Sequence, residues 1–216
     1  RTLSSFQNGV YASWNVSGIV QFRVTNLAGP NAVISGAFVD AAKPSGGGSP
    51  APNYFAGDDV QSEGNWQGVY GSNGFNVLGG GSQGSSSGAI GPITAPDAFY
   101  CTWAGSTSDV RALKKSTAGS TDRVAACWYG SQFTINVDVS DGQTHKVSLY
   151  ALDWDNGGRS ERIDVIDAAT GAVLDSRTLS SFQNGVYASW NVSGRVQFRI
   201  TNLAGPNAVI GGVFVD

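Results

Sequence analysis

The chain has 216 residues, room for one or two domains, and 41% of them are apolar, so a packed core is available. Only 13% are charged, about half the usual share, and the net charge of −3 excludes nucleic acid or an anionic membrane as the main partner. No apolar run approaches the ~20 residues that span a bilayer, so no part of this segment is expected to insert into a membrane. A surface rich in Gly, Ser, Thr and Asn belongs to secreted β-rich proteins and points to an extracellular or cell-surface location.

Residues 1–40 open the chain with RTLSSFQNGVYASWNVSGIVQFRVTNLAGPNAVISGAFVD, and residues 177–216 close it with nearly the same text. Four positions differ: Ile19/Arg195, Val24/Ile200, Ser35/Gly211 and Ala37/Val213. Alternation puts Val20, Phe22 and Val24 on one strand face and Arg23 on the other. Ile19/Arg195 lies beside the Ser17-Gly18 turn and reads as exposed, because a buried unpaired Arg is costly. Val24/Ile200 and Ala37/Val213 are small volume changes of the kind tolerated in or near a core. Forty such residues make about three strands with unpaired edges, too few to stand alone. The block is therefore expected to be the closing strands of a sandwich. At 1–40 it belongs to a preceding repeat or complements a neighbouring one.

Residues 41–53, AAKPSGGGSPAPN, read as a Pro/Gly/Ser linker, and 54–216 as one complete domain. Within that domain, 79–97 reads as a polar, glycine-rich surface loop with a short strand at 89–93. Residues 110–116, VRALKKS, are the single short helix candidate. QFTINVDV at 132–139, VSLYALDW at 147–154 and RIDVID at 162–167 carry strand patterns. Turn signals stand between strands at Asn73-Gly74, Asp141-Gly142, Asn156-Gly157, Thr170-Gly171 and Asn184-Gly185. Strands recurring about every 8–12 residues predict an all-β chain: an antiparallel β-sandwich or jelly roll, preceded by a partial copy of the same fold.

Cys101 and Cys127 both lie in aromatic strand segments and are disulfide candidates if they face each other across strands. The alternative is two buried thiols packing as small hydrophobes. Asp153, Asp155 and Asn156 near a tight turn offer hard oxygen ligands to calcium, although Gly157 breaks the EF-hand pattern. The competing reading is a turn whose carboxylates, with Glu161, are neutralised by Arg159 and Arg162. Apart from that calcium, no cofactor is expected. Trp66 and Tyr70, in a glycine-rich turn, are the best-placed aromatics to stack on a sugar. Trp128 and Trp154 sit in strong strand patterns and read as core. His145, the only histidine, shares no motif with a nucleophile.

Four segments carry a resemblance. They are the W-x-G-x-Y-G-x-x-G-F core at Trp66, Gly68, Tyr70, Gly71, Gly74 and Phe75, TDRVAACWY at 121–129, residues 141–175, and residues 191–216. Together they resemble a tandem β-sandwich repeat module of large secreted or surface proteins of environmental bacteria. The C-terminal part is also similar in layout to the galactose-binding-like jelly rolls of carbohydrate-binding modules. These resemblances imply a structural repeat of an extracellular fibre, stalk or giant adhesin, or else a carbohydrate-binding module. They imply no enzyme. The expected partners are further copies of the repeat and extracellular polysaccharide.

Overall fold

A computed structural model describes residues 24–35, 54–83, 88, 90–117 and 120–216. The chain divides into two compact units, Arg1–Pro50 and Ala51–Asp216. In the first, the described residues 24–35 are exposed and outside regular structure. They hold a turn at Gly29 (φ +86°), where Asn26 Nδ2 donates to Gly29 O at 3.0 Å.

The described residues of the second unit are all-β, with fourteen strands: β1 (Phe55–Asp59), β2 (Gly74–Val77), β3 (Gly81–Gln83), β4 (Phe99–Thr107), β5 (Leu113–Lys114), β6 (Arg123–Gly130), β7 (Gln132–Val139), β8 (His145–Ala151), β9 (Ser160–Asp167), β10 (Val173–Ser180), β11 (Val186–Val192), β12 (Gly194–Ala204), β13 (Ala208–Ile210) and β14 (Gly212–Val215). All described pairings are antiparallel. One sheet runs β1-β11-β8-β14-β2-β3 and a second β10-β9-β12-β7. A third is built on β13-β6-β4, with β5 also on β6. The sandwich expected from the strand spacing is the fold observed.

The central strands of the six-stranded sheet, β8, β11 and β14, are buried on both faces. On β8, Val147, Leu149 and Ala151 enter a core shared with Phe133, Ile135, Ile163, Val165, Phe198 and Ile200 of the second sheet. The opposite side of β8 sends Tyr150 into a second core with Trp66, Tyr70, Phe75, Tyr187 and Phe214. β11 and β14 divide in the same way, Trp190 and Val213 to the first core, Tyr187 and Phe214 to the second. Two-sided burial is why these strands read as near-continuous apolar runs and not as clean alternation.

Residues 110–116 form no helix. Their backbone is held by distant partners: Tyr150 Oη donates to Arg111 O at 2.5 Å, and Lys114 N donates to Gly64 O at 3.1 Å. Leu113 is thereby drawn into strand pairing with Val124. In the 79–97 stretch the strand is β3 at 81–83; the strand expected at 89–93 is not formed among the described residues, and the buried Ile90 makes an isolated bridge to Val139. Arg195 is exposed, while Ile200 and Val213 are wholly buried, as the differences between the two copies imply.

Candidate functional site

The densest polar cluster follows β8. Asp153 is fully buried and both its carboxylate oxygens are engaged. Oδ1 accepts from Gly157 N at 2.9 Å and from Arg159 Nη1 at 2.5 Å. Oδ2 accepts from Gly158 N at 3.0 Å and Arg159 N at 3.2 Å. Burial alone pushes this carboxyl up, but the Arg159 guanidinium and the turn amides outweigh it and hold it below the usual range. Arg159 also pairs with Asp155, donates to Asn207 Oδ1 at 3.2 Å and lies over the Trp103 ring at 5.6 Å. Asn156 is exposed, at φ +53° in the turn.

Two of the three proposed calcium ligands, Asp153 and Asp155, converge on the Arg159 guanidinium. Arg159 takes the place a cation would fill, because a guanidinium satisfies two carboxylates and caps the turn without an ion. Among the described residues no group of three or more His, Cys, Asp or Glu side chains is arranged to hold a metal.

Glu161 departs from the expected neutralisation. Arg162 pairs with Asp164 at 3.2 Å, leaving Glu161 wholly buried on β9. Its Oε2 accepts from Val209 N at 2.8 Å, while Oε1 has no hydrogen-bond partner. Burial pushes its carboxyl up to about 8, against the opposing pull of the Val209 amide and Arg159. The signal was available: Glu161 shares strand parity with the buried Ile163 and Val165.

Trp66 and Tyr70 are not surface residues, which corrects the expectation that they are free to stack on a sugar. Both are buried in the second core. Trp66 packs on Phe75 and Phe214, and its Nε1 donates to Lys114 O at 2.7 Å. Tyr70 stacks on Tyr187 at 4.2 Å and donates to Asp59 Oδ2 at 2.7 Å. The outer face of the six-stranded sheet needs a lid, and this turn supplies it. Gly71 fits there because a Cβ would meet Phe75 and Phe214 at 3.1 and 3.2 Å. An open depression of about 500 Å³ lies over the turn, bordered by Gln67, Ser116, Lys146 and Asp216. Within it Lys146 Nζ sits 5.0 Å from the Tyr70 ring and 3.3 Å from Asp216 Oδ2.

The exposed aromatics lie elsewhere, at β4, the outer strand of the third sheet. Phe99 and Tyr100 are 66% and 54% exposed. Phe99 stands opposite Tyr129 with ring centres 5.5 Å apart. Thr102 Oγ1 donates to Tyr100 Oη at 2.8 Å. No further strand lies beside β4 among the described residues. On the same pair of strands Cys101 stands directly opposite Cys127, and in this structure both are free thiols. Trp128 and Trp154 are half-buried against the cores, Trp154 beneath the Arg111 guanidinium at 4.8 Å. His145 faces Asp141 Oδ2 at 2.9 Å.

No family model matches the chain, and no curated protein matches it. Among solved structures, the exo-β-1,3-galactanase of Phanerochaete chrysosporium with β-1,3-galactotriose is similar to 62% of this chain at 20% identity and a TM-score of 0.31. Another structure of that galactanase with the same sugar overlaps 65% at 22% identity and a TM-score of 0.30. The enzymatically active domain of tailspike protein 4 of bacteriophage CBA120 overlaps 58% at 13% identity and a TM-score of 0.27. The overlap covers 32% of each galactanase chain and 19% of the tailspike chain, so this chain spans a third of their length or less. These neighbours are enzymes, and that overturns the expectation that the chain is not one. Among the described residues no helix is long and apolar enough to cross a membrane.

Proposed function

We propose that the chain is a piece of a tandem array of β-sandwich repeats in an extracellular or cell-surface fibre, stalk or adhesin. One observation carries this reading. Residues 177–216 supply the second half of β10 and all of β11 to β14. Of these, β11 lies between β1 and β8, β14 between β8 and β2, and β12 between β9 and β7. A block that fills interior places in both large sheets is an indispensable part of a sandwich. Its near-copy at 1–40 therefore encodes the closing strands of another one. Two closing blocks around one body are what a repeating order of body, closing block and linker produces. The partners of such a unit are further copies of itself.

Electron microscopy of the native material tests this. Filaments or stalks with an axial repeat of one sandwich support it; isolated particles without a repeat overturn it.

The exposed aromatic pair on β4 favours a second reading, a module that binds extracellular polysaccharide by ring stacking on Phe99 and Tyr100. A glycan array checks it: binding that falls tenfold or more in Phe99→Ala and Tyr100→Ala supports it, and unchanged binding rejects it.

A further inference from the structure

The register of β4 on β6 sets two thiols face to face. Phe99, Tyr100, Cys101 and Thr102 pair in unbroken order with Tyr129, Trp128, Cys127 and Ala126. Side chains of directly opposite residues leave the same face of a ladder, as the Phe99 and Tyr129 rings do with centres 5.5 Å apart. Cys101 and Cys127 lie two residues along from that pair and so share its face. That face is the inner one: Cys127 is buried in the first core, and Cys101 is half-buried against it. Directly opposite residues of an antiparallel ladder have Cα atoms about 4.5–5.5 Å apart. A disulfide takes Cα separations of about 4.4–6.8 Å, so the backbone already meets its requirement.

We propose that Cys101 and Cys127 are a redox-closable pair, joined by a cross-strand disulfide when the folded chain meets a disulfide oxidant. The two thiols enter unequally. Cys101 is partly open to solvent, whereas burial pushes the Cys127 thiol far up and disfavours its thiolate. Cys101 therefore attacks first. Its thiolate takes one sulfur of the oxidant to form a mixed disulfide, and the other sulfur leaves as a thiol. Cys127 Sγ then displaces the remaining oxidant sulfur from Cys101. The two protein thiols lose two protons and two electrons, and the oxidant disulfide is reduced to two thiols.

What the bond does follows from what lies between the cysteines. β4 loses regular pairing just past Cys101, with register shifts between Thr102 and Ala104 and between Ala104 and Thr107. Further on, β5 brings Leu113 into the second core before the chain returns as β6. Trp66 Nε1 donates to Lys114 O and Tyr150 Oη to Arg111 O across this stretch. Arg123 Nη1 donates to Val110 O and Ala112 O at 3.2 and 2.9 Å. A bond between 101 and 127 closes a loop around all of these groups and restricts them in the unfolded chain. It also anchors β4 at its regular end, beside the exposed Phe99 and Tyr100. The reduced pair leaves β4 held by its ladder and apolar contacts. The bond depends on register and burial, not on any assembly of the chain into fibres.

The full chain, purified under reducing conditions, is incubated in its folded state with oxidised glutathione. Thiol titration in denaturant should fall from two per chain to none, and the monomer should lose the mass of two hydrogens. A peptide map should join the segments that hold 101 and 127. The oxidised monomer should melt about 10 °C above the reduced one, the effect of closing a loop of this length in a domain of this size. Cys101→Ser should gain no such rise from the oxidant. The proposal is overturned if both thiols survive oxidation, or if oxidation stops at glutathione adducts or yields cross-linked dimers. A bonded monomer that melts within about 2 °C of the reduced one overturns it as well.

Discussion

At the scale of single residues, two buried polar groups decide how the sandwich responds to its surroundings. The Glu161 carboxyl ordinarily titrates near 4.5 and sits at about 8 in the fold. The folded state therefore holds this proton more tightly than the unfolded chain does, and stability falls as pH rises between those values. Below about 4.5 the group is protonated in both states and costs nothing. Glu161→Gln keeps an acceptor for Val209 N and removes the ionisation. It should leave stability nearly unchanged at pH 5 and raise it by a few kcal/mol, on the order of one per unit of upward displacement, at pH 9. Urea denaturation at the two pH values measures this; an equal effect at both would show that Glu161 is not the titrating group. Tyr187 makes the complementary case. Its hydroxyl is buried without a hydrogen-bond partner, so Tyr187→Phe should be neutral or stabilising by about 1 kcal/mol in the same assay. Strand parity with Ile163 and Val165 marks Glu161 as inward-facing, although its charge suggested the turn surface; nothing in VYASWNV distinguishes an unpartnered Tyr hydroxyl from a bonded one.

At the scale of elements, the two copies of the forty-residue block form an internal mutation series. Ile200→Val removes one buried methyl and should cost about 0.5–1.5 kcal/mol. Val213→Ala removes more and should cost about 1–3 kcal/mol, because β14 is packed between β8 and β2 and the gap cannot collapse. Arg195→Ile breaks only an exposed pair with Asp138 and should stay within about 0.5 kcal/mol. Denaturant midpoints of the three single variants rank these effects, and a dominant loss from Arg195→Ile would refute the assignment of faces. The pattern was legible here because β12 alternates strictly between a core and a solvent face: Val196, Phe198 and Ile200 are buried, while Gln197 and Arg199 are less so. Legibility failed at Trp66 and Tyr70, where a glycine-rich turn suggested surface. Local sequence shows that a turn exists but not that the sheet beneath it has a second apolar face in need of cover. The same limit hid Phe99 and Tyr100, whose exposure depends on what covers the faces of β4. It also kept the calcium and salt-bridge readings of the Asp153 turn apart until the direction of Arg159 was known.

For the whole molecule, the distribution of strands makes an unequal claim about its two ends. All fourteen described strands and both cores lie between Phe55 and Val215. Residues 54–216 alone should therefore fold and melt within about 2 °C of the full chain, a difference that corresponds to about 0.5–1 kcal/mol for a domain of this size. Residues 54–176 retain more than half of the chain but lose β11, β12 and β14, and with them the centre of both large sheets. What remains is β8 with two unpaired sides, β9 without β12, and a first core without Trp190, Phe198, Ile200 or Val213. Burial at roughly 25 cal/mol per Å² cannot offset chain entropy when the largest side chains of a core are gone. This fragment should show no cooperative transition by calorimetry or circular dichroism. A cooperative melt of 54–176 would mean that the closing block is an accessory layer, and the reading of residues 1–40 as half of another sandwich would fall with it.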